Sequence, residues 1–425
     1  MSTRKIIITG ATLINGIGSK PMENSVVFVS DGKITDIGTP NTLTPPPDSI
    51  VIQADGKFLL PGLIDAHVHM AHSGFIQRPF KGSRIAYQTL IALNNLSSAL
   101  QSGITTLRGV CDEDHIDLAM RSAVRDKFFI GPRLFVAGKG ICMTGGHGSQ
   151  LSGVMHEVDG TDEVRKAVRE EVKAGVDFIK LLSSHRTDYP EFSLEEICAG
   201  TDEAHRLGKK IAIHAANFES TRMAAIAGVD TIEHGSFIDE KTGDLMAEKG
   251  IIFVPTIWVK DYIAVNAKKM LEEFGDKGST LEILLNKDEL EETSIWFNRC
   301  IEQYPKTFEV ARSRGIHIAT GTDNVFADEP FAMLHKEMEL LTRYGFSNME
   351  VIESATRIGA ETIGIEESLG TIETGKLADL IMVDRDPLQD ITVMGEVSWV
   401  MKDGEIIPFL YERKRQPIKE SLSLD

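Results

Sequence analysis

The sequence has few cysteines, and their positions exclude two common uses of this residue. The four cysteines of the 425-residue chain are far apart and form no CxxC pair: Cys111, Cys142, Cys198 and Cys300. That spacing fits neither a disulfide framework nor a paired-cysteine zinc or redox motif. We therefore expect a reduced, cytoplasmic protein.

Positive charge and long apolar runs are also scarce. Acidic residues number 63 and basic residues 45, which gives a formal net charge of −18. Such a chain repels phosphate backbones, so we expect no nucleic-acid partner. No run of about 18 apolar residues is present, and the first residues lack the apolar core of a signal peptide, so we expect neither a membrane span nor a leader.

The rest of the composition is that of a globular protein. The chain is 42% hydrophobic and 25% charged, and its length suits one large domain or a large domain with a small one. Residues 5–58 have β-type patterning with a turn signal at Asp31-Gly32-Lys33, and β-type patterning returns near the C-terminus. We predict that both ends pair into a small β-sandwich domain, residues 1–58 with 369–425.

Between these ends, residues 59–368 alternate short apolar strands with helical stretches. The helices have readable ends, such as the capping box Ser193–Glu196 and the stop at Gly175. Eight strands with helices between them predict a parallel (β/α)8 TIM barrel in the α/β class. The predicted strands are Phe58–His69, Ile104–Val110, Arg133–Ala137, Asp177–Leu182, Lys210–Ala215, Thr231–Gly235, Ile251–Thr256 and Ile316–Thr320.

A long excursion, residues 257–308, separates the seventh and eighth predicted strands. Two charged segments within it, 267–274 and 284–290, have helical character. They fit a solvated helical hairpin, and they equally fit a cover over the barrel mouth, because the excursion leaves from the catalytic end. The sequence leaves both interpretations open.

Residues that bind metals recur at the ends of the predicted strands. The first strand ends in His67-Val68-His69, and alternate side chains of a strand share a face, so the two imidazoles point the same way. In this barrel class the carboxyl ends of the strands carry the chemistry, and imidazoles and carboxylates there suit a divalent metal. The full set is His67, His69, Lys180, His214, His234 and Asp323.

Lys180 stands inside an apolar strand, where a charged amine is costly. Desolvation lowers the pKa of such an amine and makes it nucleophilic, so it can capture carbon dioxide. The resulting carbamate resembles a carboxylate and can bridge two cations. The alternative is a lysine paired with Glu233 or Asp323.

This set of residues resembles the amidohydrolase superfamily over nearly the whole chain. The segment Gly375–Leu380 is typical of that superfamily. Within it, Gly145-Gly146-His147-Gly148 is similar to the branch of Xaa-Pro and Xaa-Arg/Lys dipeptidases and imidazolonepropionase-like enzymes.

The resemblance implies a site with two divalent ions, usually zinc, that cleaves the amide bond of a small molecule. A metal-bridging hydroxide attacks the carbonyl, and Asp323 accepts the proton and passes it to the leaving amine. His147 holds the carbonyl oxygen or the substrate carboxylate, unless it is a loop histidine without a function. One ion takes His67, His69 and Asp323, the other takes His214 and His234, and the carbamate of Lys180 bridges them.

Two departures from the branch leave the substrate open. A Gly-Gly pair often follows the lysine in these dipeptidases, but Ser183–Arg186 stands here. The position two places after the strand-five histidine is often Tyr or His, but here it is Ala216. The predicted substrate is a dipeptide or an N-acyl amino acid, and the alternative is a cyclic amide, carbamate or urea. Arg186 and Arg222 are weak candidates for binding a substrate carboxylate.

Two further hypotheses have less support from the sequence. A mononuclear deaminase of the superfamily would place Glu three residues after His214, where Asn217 stands, and would give Lys180 no role. A non-catalytic scaffold is disfavoured because all six ligand positions are filled. A homo-oligomer is a reasonable expectation from the family alone, and manganese, cobalt or iron would fit the same ligands as zinc.

Overall fold

The computed structural model describes residues 5–44, 46, 49–71, 76–77, 83–151, 153–185, 187–274, 282–283, 287–324, 331 and 333–408. Side chains are described over the same ranges except 76–77, 267–274, 282–283 and 287–290. Arg186, part of the predicted helix 284–290 and the end of the chain after residue 408 therefore lie outside the described residues.

The described strands and helices alternate through the middle of the chain and are mostly strands at its ends. Two short 3₁₀ helices, Glu113–His115 and Ile391–Gly395, complete the set. The strands are β1 (Lys5–Leu13), β2 (Met22–Ser30), β3 (Lys33–Gly38), β4 (Ile50–Gln53), β5 (Phe58–Pro61), β6 (Leu63–Val68), β7 (Ile76–Gln77), β8 (Ile104–Gly109), β9 (Arg133–Val136), β10 (Gly140–Cys142), β11 (Met155–Glu157), β12 (Phe178–Leu182), β13 (Lys210–Ala215), β14 (Thr231–His234), β15 (Ile252–Val254), β16 (Glu282–Ile283), β17 (Leu380–Val383), β18 (Trp399–Lys402) and β19 (Glu405–Ile406). The α-helices are α1 (Arg84–Gln101), α2 (Ile116–Arg125), α3 (Thr161–Ala174), α4 (Leu194–Arg206), α5 (Phe218–Ala227), α6 (Glu240–Lys249), α7 (Ile257–Phe274), α8 (Lys287–Ser313), α9 (Leu334–Arg343), α10 (Asn348–Ser354) and α11 (Arg357–Glu361).

The two ends of the chain meet in one mixed sheet, which we call the terminal sheet. Among the described residues it has eight strands in the order β19-β18-β17-β5-β1-β2-β3, with β4 beside β1. The antiparallel pairing of β5 with β17 joins the N-terminal and C-terminal segments. Its apolar face forms a separate small core that includes Ile8, Val27 and Leu380. The sandwich and its domain boundaries stay predictions, because the pairing defines a single sheet.

The middle of the chain forms parallel sheets, as the alternating pattern predicts. One has the order β6-β8-β9, and the other has the order β11-β10-β12-β13-β14-β15. The buried faces of these strands and the helices α3 and α4 share the large apolar core. The capping box at Ser193 and the left-handed stop at Gly175 are both present.

The eighth predicted strand differs most from its expectation. Residues 316–320 make one parallel bridge, between Phe253 and Ile318, because the amide of Thr320 donates to the carbonyl of Ser354 instead of continuing a ladder. The carbonyl of Thr320 still accepts from Ala66 on β6 at 3.0 Å. Strand pairing within the described residues does not record a closed ring, so the closed barrel also stays a prediction.

The long excursion is mostly helical. It contains α7, which begins after the two residues that follow β15, and most of α8. Within the described part of the chain, no helix is both long enough and apolar enough to cross a membrane.

Candidate active site

The register of the parallel strands brings the predicted ligands to one edge. Leu182 on β12 lies beside His214 on β13, and Ala215 on β13 lies beside His234 on β14. Successive strands therefore end at nearly the same level, and the residues at their ends share one cavity. Its lining includes all six predicted ligands and His147.

Three of these residues form a compact group. The ligand atoms of His67, His234 and Asp323 all lie within 4.8 Å of one another. The carboxylate of Asp323 lies 3.6 Å from His67 Nε2 and 3.4 Å from His69 Nε2, and 3.8 Å from His234 Nδ1. Donor atoms at these separations can surround an ion that binds each of them at about 2.0–2.2 Å.

His214 and Lys180 line the same cavity as this group. The ring of His214 is 4.2 Å from that of His234, centroid to centroid. Lys180 is only 2% exposed, and its Nζ has no hydrogen-bond partner among the described residues. The Lys180 ion pair offered as an alternative is therefore not formed with Glu233 or Asp323. Burial also lowers the pKa of this amine, against the opposing effect of Glu233.

Hydrogen bonds fix the tautomers of the first two histidines. Nδ1 of His69 lies 2.9 Å from the carbonyl of Cys111, which can only accept, so this nitrogen carries the proton. Nδ1 of His67 likewise donates to the carboxylate of Glu233 at 2.5 Å. With Nδ1 protonated, each ring turns its Nε2 towards Asp323, and Nε2 is the atom left to bind a metal, as in histidine ligands generally.

The surroundings in the cavity favour the neutral form of three of its four predicted histidine ligands and the ionised form of Asp323. Burial lowers the pKa of His67 to about 4 and holds the pKa values of His214 and His234 well below the usual range. Burial acts the same way on His69, but contacts with Cys111 and Asp323 outweigh it and raise its pKa. Burial opposes ionisation of Asp323, yet His67 and His69 lower its pKa to about 2. Three neutral imidazoles, a carboxylate and an unpartnered buried amine fit a divalent cation.

The buried ion pair between Arg108 and Glu233 supports His67 on the Nδ1 side of its ring. Arg108 on β8 donates from Nη2 to Glu233 Oε1 at 2.6 Å, and its Nη1 donates to Thr231 at 3.1 Å. Burial raises the pKa of Glu233, but Arg108 and His67 lower it well below its usual range. The carboxylate is therefore ionised and orients the His67 ring. Sequence analysis did not identify Arg108 or Glu233 as supporting residues.

Three residues at the strand ends have left-handed backbone conformations. The φ angles of His234, Thr256 and Asp323 are 71°, 47° and 47°. Such conformations are uncommon outside glycine and cluster at functional sites. Asp65 helps hold the last of them, because its carboxylate accepts from the amide and hydroxyl of Thr322, at 3.0 and 2.7 Å.

A second buried lysine, which sequence analysis missed, lies beside His234. Lys260 Nζ donates to the carbonyls of Pro255 and Thr256, at 2.8 and 3.1 Å, and to the hydroxyl of Thr256 at 3.1 Å. That hydroxyl lies 2.7 Å from His234 Nδ1. Tyr304 on α8 donates to the same Pro255 carbonyl at 3.1 Å. Lys260 thus connects the excursion to a predicted metal ligand.

Both helices of the excursion contribute to the cavity wall. Val259 and Lys260 on α7 and Trp296 and Phe297 on α8 line it. Of the two interpretations of the excursion, this placement favours a cover of the cavity and disfavours a helical hairpin surrounded by solvent. His147 lies 4.2 Å from His214, centroid to centroid, and its Nδ1 is 2.8 Å from Nδ1 of His185.

Parallel strands whose carboxyl ends gather histidines, a lysine and an aspartate in one buried cavity define an α/β enzyme. Residues 58–407 match the sequence model of the Amidohydrolase family, and the chain belongs to that family. It is therefore a C–N bond hydrolase, of a family that generally depends on metals and acts on small molecules.

Three relatives illustrate this family. The chain is 28% identical to ochratoxinase from Aspergillus niger over 448 aligned positions, which cover 94% of this chain and 86% of that protein. It is 31% identical to a Xaa-Pro dipeptidase of known crystal structure with bound methionine, with a TM-score of 0.83 over 95% of this chain and 99% of that one. It is 23% identical to imidazolonepropionase from Brevibacillus brevis, over 93% and 95% of the two chains.

Proposed function

We propose that this protein is a binuclear metallohydrolase that cleaves the amide bond of a dipeptide or an N-acyl amino acid. The site lies in a (β/α)8 barrel formed by residues 59–368, beside a sandwich formed by residues 1–58 and 369–425. The observation that carries the proposal is the buried Nζ of Lys180, which has no hydrogen-bond partner among the described residues and lies in the cavity that the predicted histidine ligands line. A buried polar atom without a hydrogen-bond partner needs an explanation, and a carbamate on Lys180 that would bridge two cations supplies one.

The residues divide into two sets of ligands for zinc, the usual ion in this family. His67, His69 and Asp323 would hold one ion, His214 and His234 the other, and the carbamate of Lys180 would bridge them. When bound, such a pair of ions lowers the pKa of water and polarises the substrate carbonyl. Asp323, at the centre of the group, accepts the proton that the attacking water loses and delivers it to the leaving amine.

His147 has a substrate-facing role in this proposal. It lines the cavity beside His214, and its backbone amide donates hydrogen bonds to the two carboxylate oxygens of Glu191 at 2.9 and 3.1 Å. That anchor fixes a loop rich in glycine, so the ring can donate to the carbonyl oxygen or to the substrate carboxylate. The structural similarity to a Xaa-Pro dipeptidase supports a peptide-like substrate.

The second candidate function is hydrolysis of a cyclic amide, carbamate or urea on the same site. The similarity to imidazolonepropionase favours it, as does Ala216, which leaves an apolar side chain where dipeptidases of the branch often have Tyr or His. It shares the metal chemistry and differs only in the substrate.

The test is hydrolysis by the zinc-loaded protein, incubated with bicarbonate and offered dipeptides, N-acyl amino acids and small cyclic amides. We expect two zinc ions per chain and release of amino acids from a narrow group of substrates. Asp323→Asn should abolish release, and Asp384→Asn, at an exposed site on the terminal sheet, should not. Two bound ions without amino-acid release from any member would contradict the peptide-like substrate, and fewer than two would contradict the binuclear site.

A further inference from the structure

We propose that Arg84 binds the free carboxylate of the substrate, so that the enzyme acts on amides whose leaving group is an amino acid with a free carboxyl end. This inference rests on the proposed function and narrows its substrate. Arg84 was not among the residues that sequence analysis identified.

Arg84 is the first residue of α1 and faces the catalytic cavity. The preceding Ser83 caps this helix, because its hydroxyl accepts from the amide of Ala86. Gln88 follows one turn later on the same face, and both Arg84 and Gln88 line the cavity that contains the predicted ligands. A rigid helix end therefore carries the guanidinium to the site.

Glu113 orients the guanidinium and leaves its outer edge available. Arg84 Nε lies 3.0 Å from Glu113 Oε2, and the Glu113 side chain is 9% exposed whereas that of Arg84 is 45% exposed. This contact is an ion pair without hydrogen-bond geometry, because Glu113 Oε2 has no hydrogen-bond partner among the described residues, and no second ion pair joins Arg84 to them. The Nη groups of Arg84 lie outside this ion pair, and together they form a fork that matches a carboxylate.

The other two cationic side chains that line the cavity, Lys180 and Lys260, have other roles or partners. Lys180 is the bridging residue of the proposed metal site. The Nζ of Lys260 donates to three oxygen atoms of Pro255 and Thr256. Among the described lysines and arginines that line the cavity, Arg84 alone keeps hydrogen-bond donors for a substrate anion.

Gln88 supplies a second, independent observation. It is 7% exposed, and its Oε1 has no hydrogen-bond partner among the described residues. Buried amides without partners are rare, and a bound polar group would satisfy this one. Because a half-turn exchanges the oxygen and nitrogen of the amide, Gln88 can donate to the same carboxylate as Arg84.

The test compares a dipeptide with its C-terminal amide, which differ only in the charge under discussion. We expect the zinc-loaded protein to prefer the free acid in kcat/KM by roughly 10–100-fold, the range for a hydrogen bond to a charged group. Arg84→Gln should remove this preference by raising KM for the acid with little change in kcat, and Arg84→Lys should restore part of it. The control Arg222→Gln, at an exposed residue outside the cavity lining, should keep the preference.

Three results would overturn the proposal: equal kcat/KM for acid and amide, an equal loss for both in Arg84→Gln, or loss of the preference in His185→Gln alone. The last would assign the carboxylate to the pair of His147 and His185. If the protein hydrolyses neither compound, the proposed peptide function fails. Calorimetry with an N-acetyl amino acid and its amide then still decides this inference, because binding of the acid should weaken in Arg84→Gln and binding of the amide should not.

Discussion

Left-handed residues other than glycine occur both in the terminal sheet and at the parallel strand ends, in opposite surroundings. In the terminal sheet, Asp31 and Asp403 have φ angles of 51°, are exposed, and each precedes a glycine in a tight turn. At the parallel strand ends, His234, Thr256 and Asp323 have the same conformation and are buried or half-buried. Aspartate tolerates this region of φ, whereas a β-branched threonine is an outlier there.

The difference shows where the fold is under strain. Each left-handed residue costs roughly 1–2 kcal/mol, so the strand ends need compensating contacts. The backbone amide of Asp323 donates to the His67 carbonyl at 2.8 Å. Lys260 donates to the carbonyl and to the hydroxyl of Thr256. The terminal sheet needs none, because its turns follow the ordinary residue preferences. Ion pairs show the same contrast, since Arg108–Glu233 is 1% and 0% exposed and Lys127–Glu405 is 81% and 73% exposed.

The largest expected effect is on the free energy of unfolding and follows from the loss of the buried Arg108–Glu233 ion pair. Glu233→Gln leaves the guanidinium of Arg108 buried without a counter-ion, and we expect the free energy of unfolding to fall by about 3–5 kcal/mol. The matched change in the terminal sheet, Glu405→Gln, should alter it by less than about 0.5 kcal/mol. Urea denaturation of both variants measures this, and equal effects would remove the energetic contrast between the two regions.

Next in size is the loss of the contacts that hold Thr256. Lys260→Met removes the donor to the Thr256 hydroxyl beside His234, and we expect the affinity for one of the two proposed zinc ions to fall by roughly 10–100-fold. Competition with a chelator measures this affinity independently of turnover. Lys57→Met, in the terminal sheet, serves as the control. Unchanged affinity in Lys260→Met would show that His234 is held without this support.

A pH series tests a smaller difference between the regions. Glu337 on α9 accepts from the amides of Ile257 and Trp258, and burial raises its pKa from 4.5 to about 8. The folded state therefore binds more protons than the unfolded state between these pH values, so the free energy of unfolding falls as pH rises through that window. In the terminal sheet Lys57 lowers the pKa of Asp384, so its contribution is lost instead as pH falls below about 3.8.

Glu337→Gln should flatten the decline of stability between pH 5 and about 8, as measured by urea denaturation at each pH. Asp384→Asn should leave the slope in that range unchanged. A wild-type slope that persists in Glu337→Gln would assign the decline to other buried carboxyls, such as Asp117, whose pKa burial raises to about 8.

The sequence is most informative where functional residues lie in a regular local pattern. Strands that carry His67, Lys180, His214 and His234 are present, because apolar runs between helices define parallel strands. The first prediction, Phe58–His69, is wrong as one strand, because Phe58–Pro61 pairs in the terminal sheet as β5 and only β6 belongs to the parallel sheets. The structure brings these residues together at one edge, and their roles as ligands stay a prediction. Lys260 had the same signal as Lys180, a lysine next to apolar residues, but it lies in the long excursion and not in a predicted strand.

Other features depend on contacts between distant parts of the chain. Arg108 and Glu233 are 125 positions apart, and nothing in either segment indicates the other. Likewise, β-type patterning predicts strands at both ends but not that β5 and β17 pair within a single sheet. Backbone conformation at Thr256 and Asp323 is also invisible in sequence, because neither residue type favours it over its alternatives.

The smallest expected effect concerns the exposed turn. Asp31→Gly relieves a left-handed conformation but adds freedom to the unfolded chain, and these opposing terms should leave the free energy of unfolding within about 0.5 kcal/mol of the original. Asp31→Thr places at this turn the residue type that position 256 has, without the contacts of Lys260 and His234. It should destabilise the protein by roughly 1–2 kcal/mol, because nothing there compensates the strain. If Asp31→Thr proves neutral in urea denaturation, the left-handed conformation costs little in either region, and the contacts around Thr256 must serve the position of His234 alone.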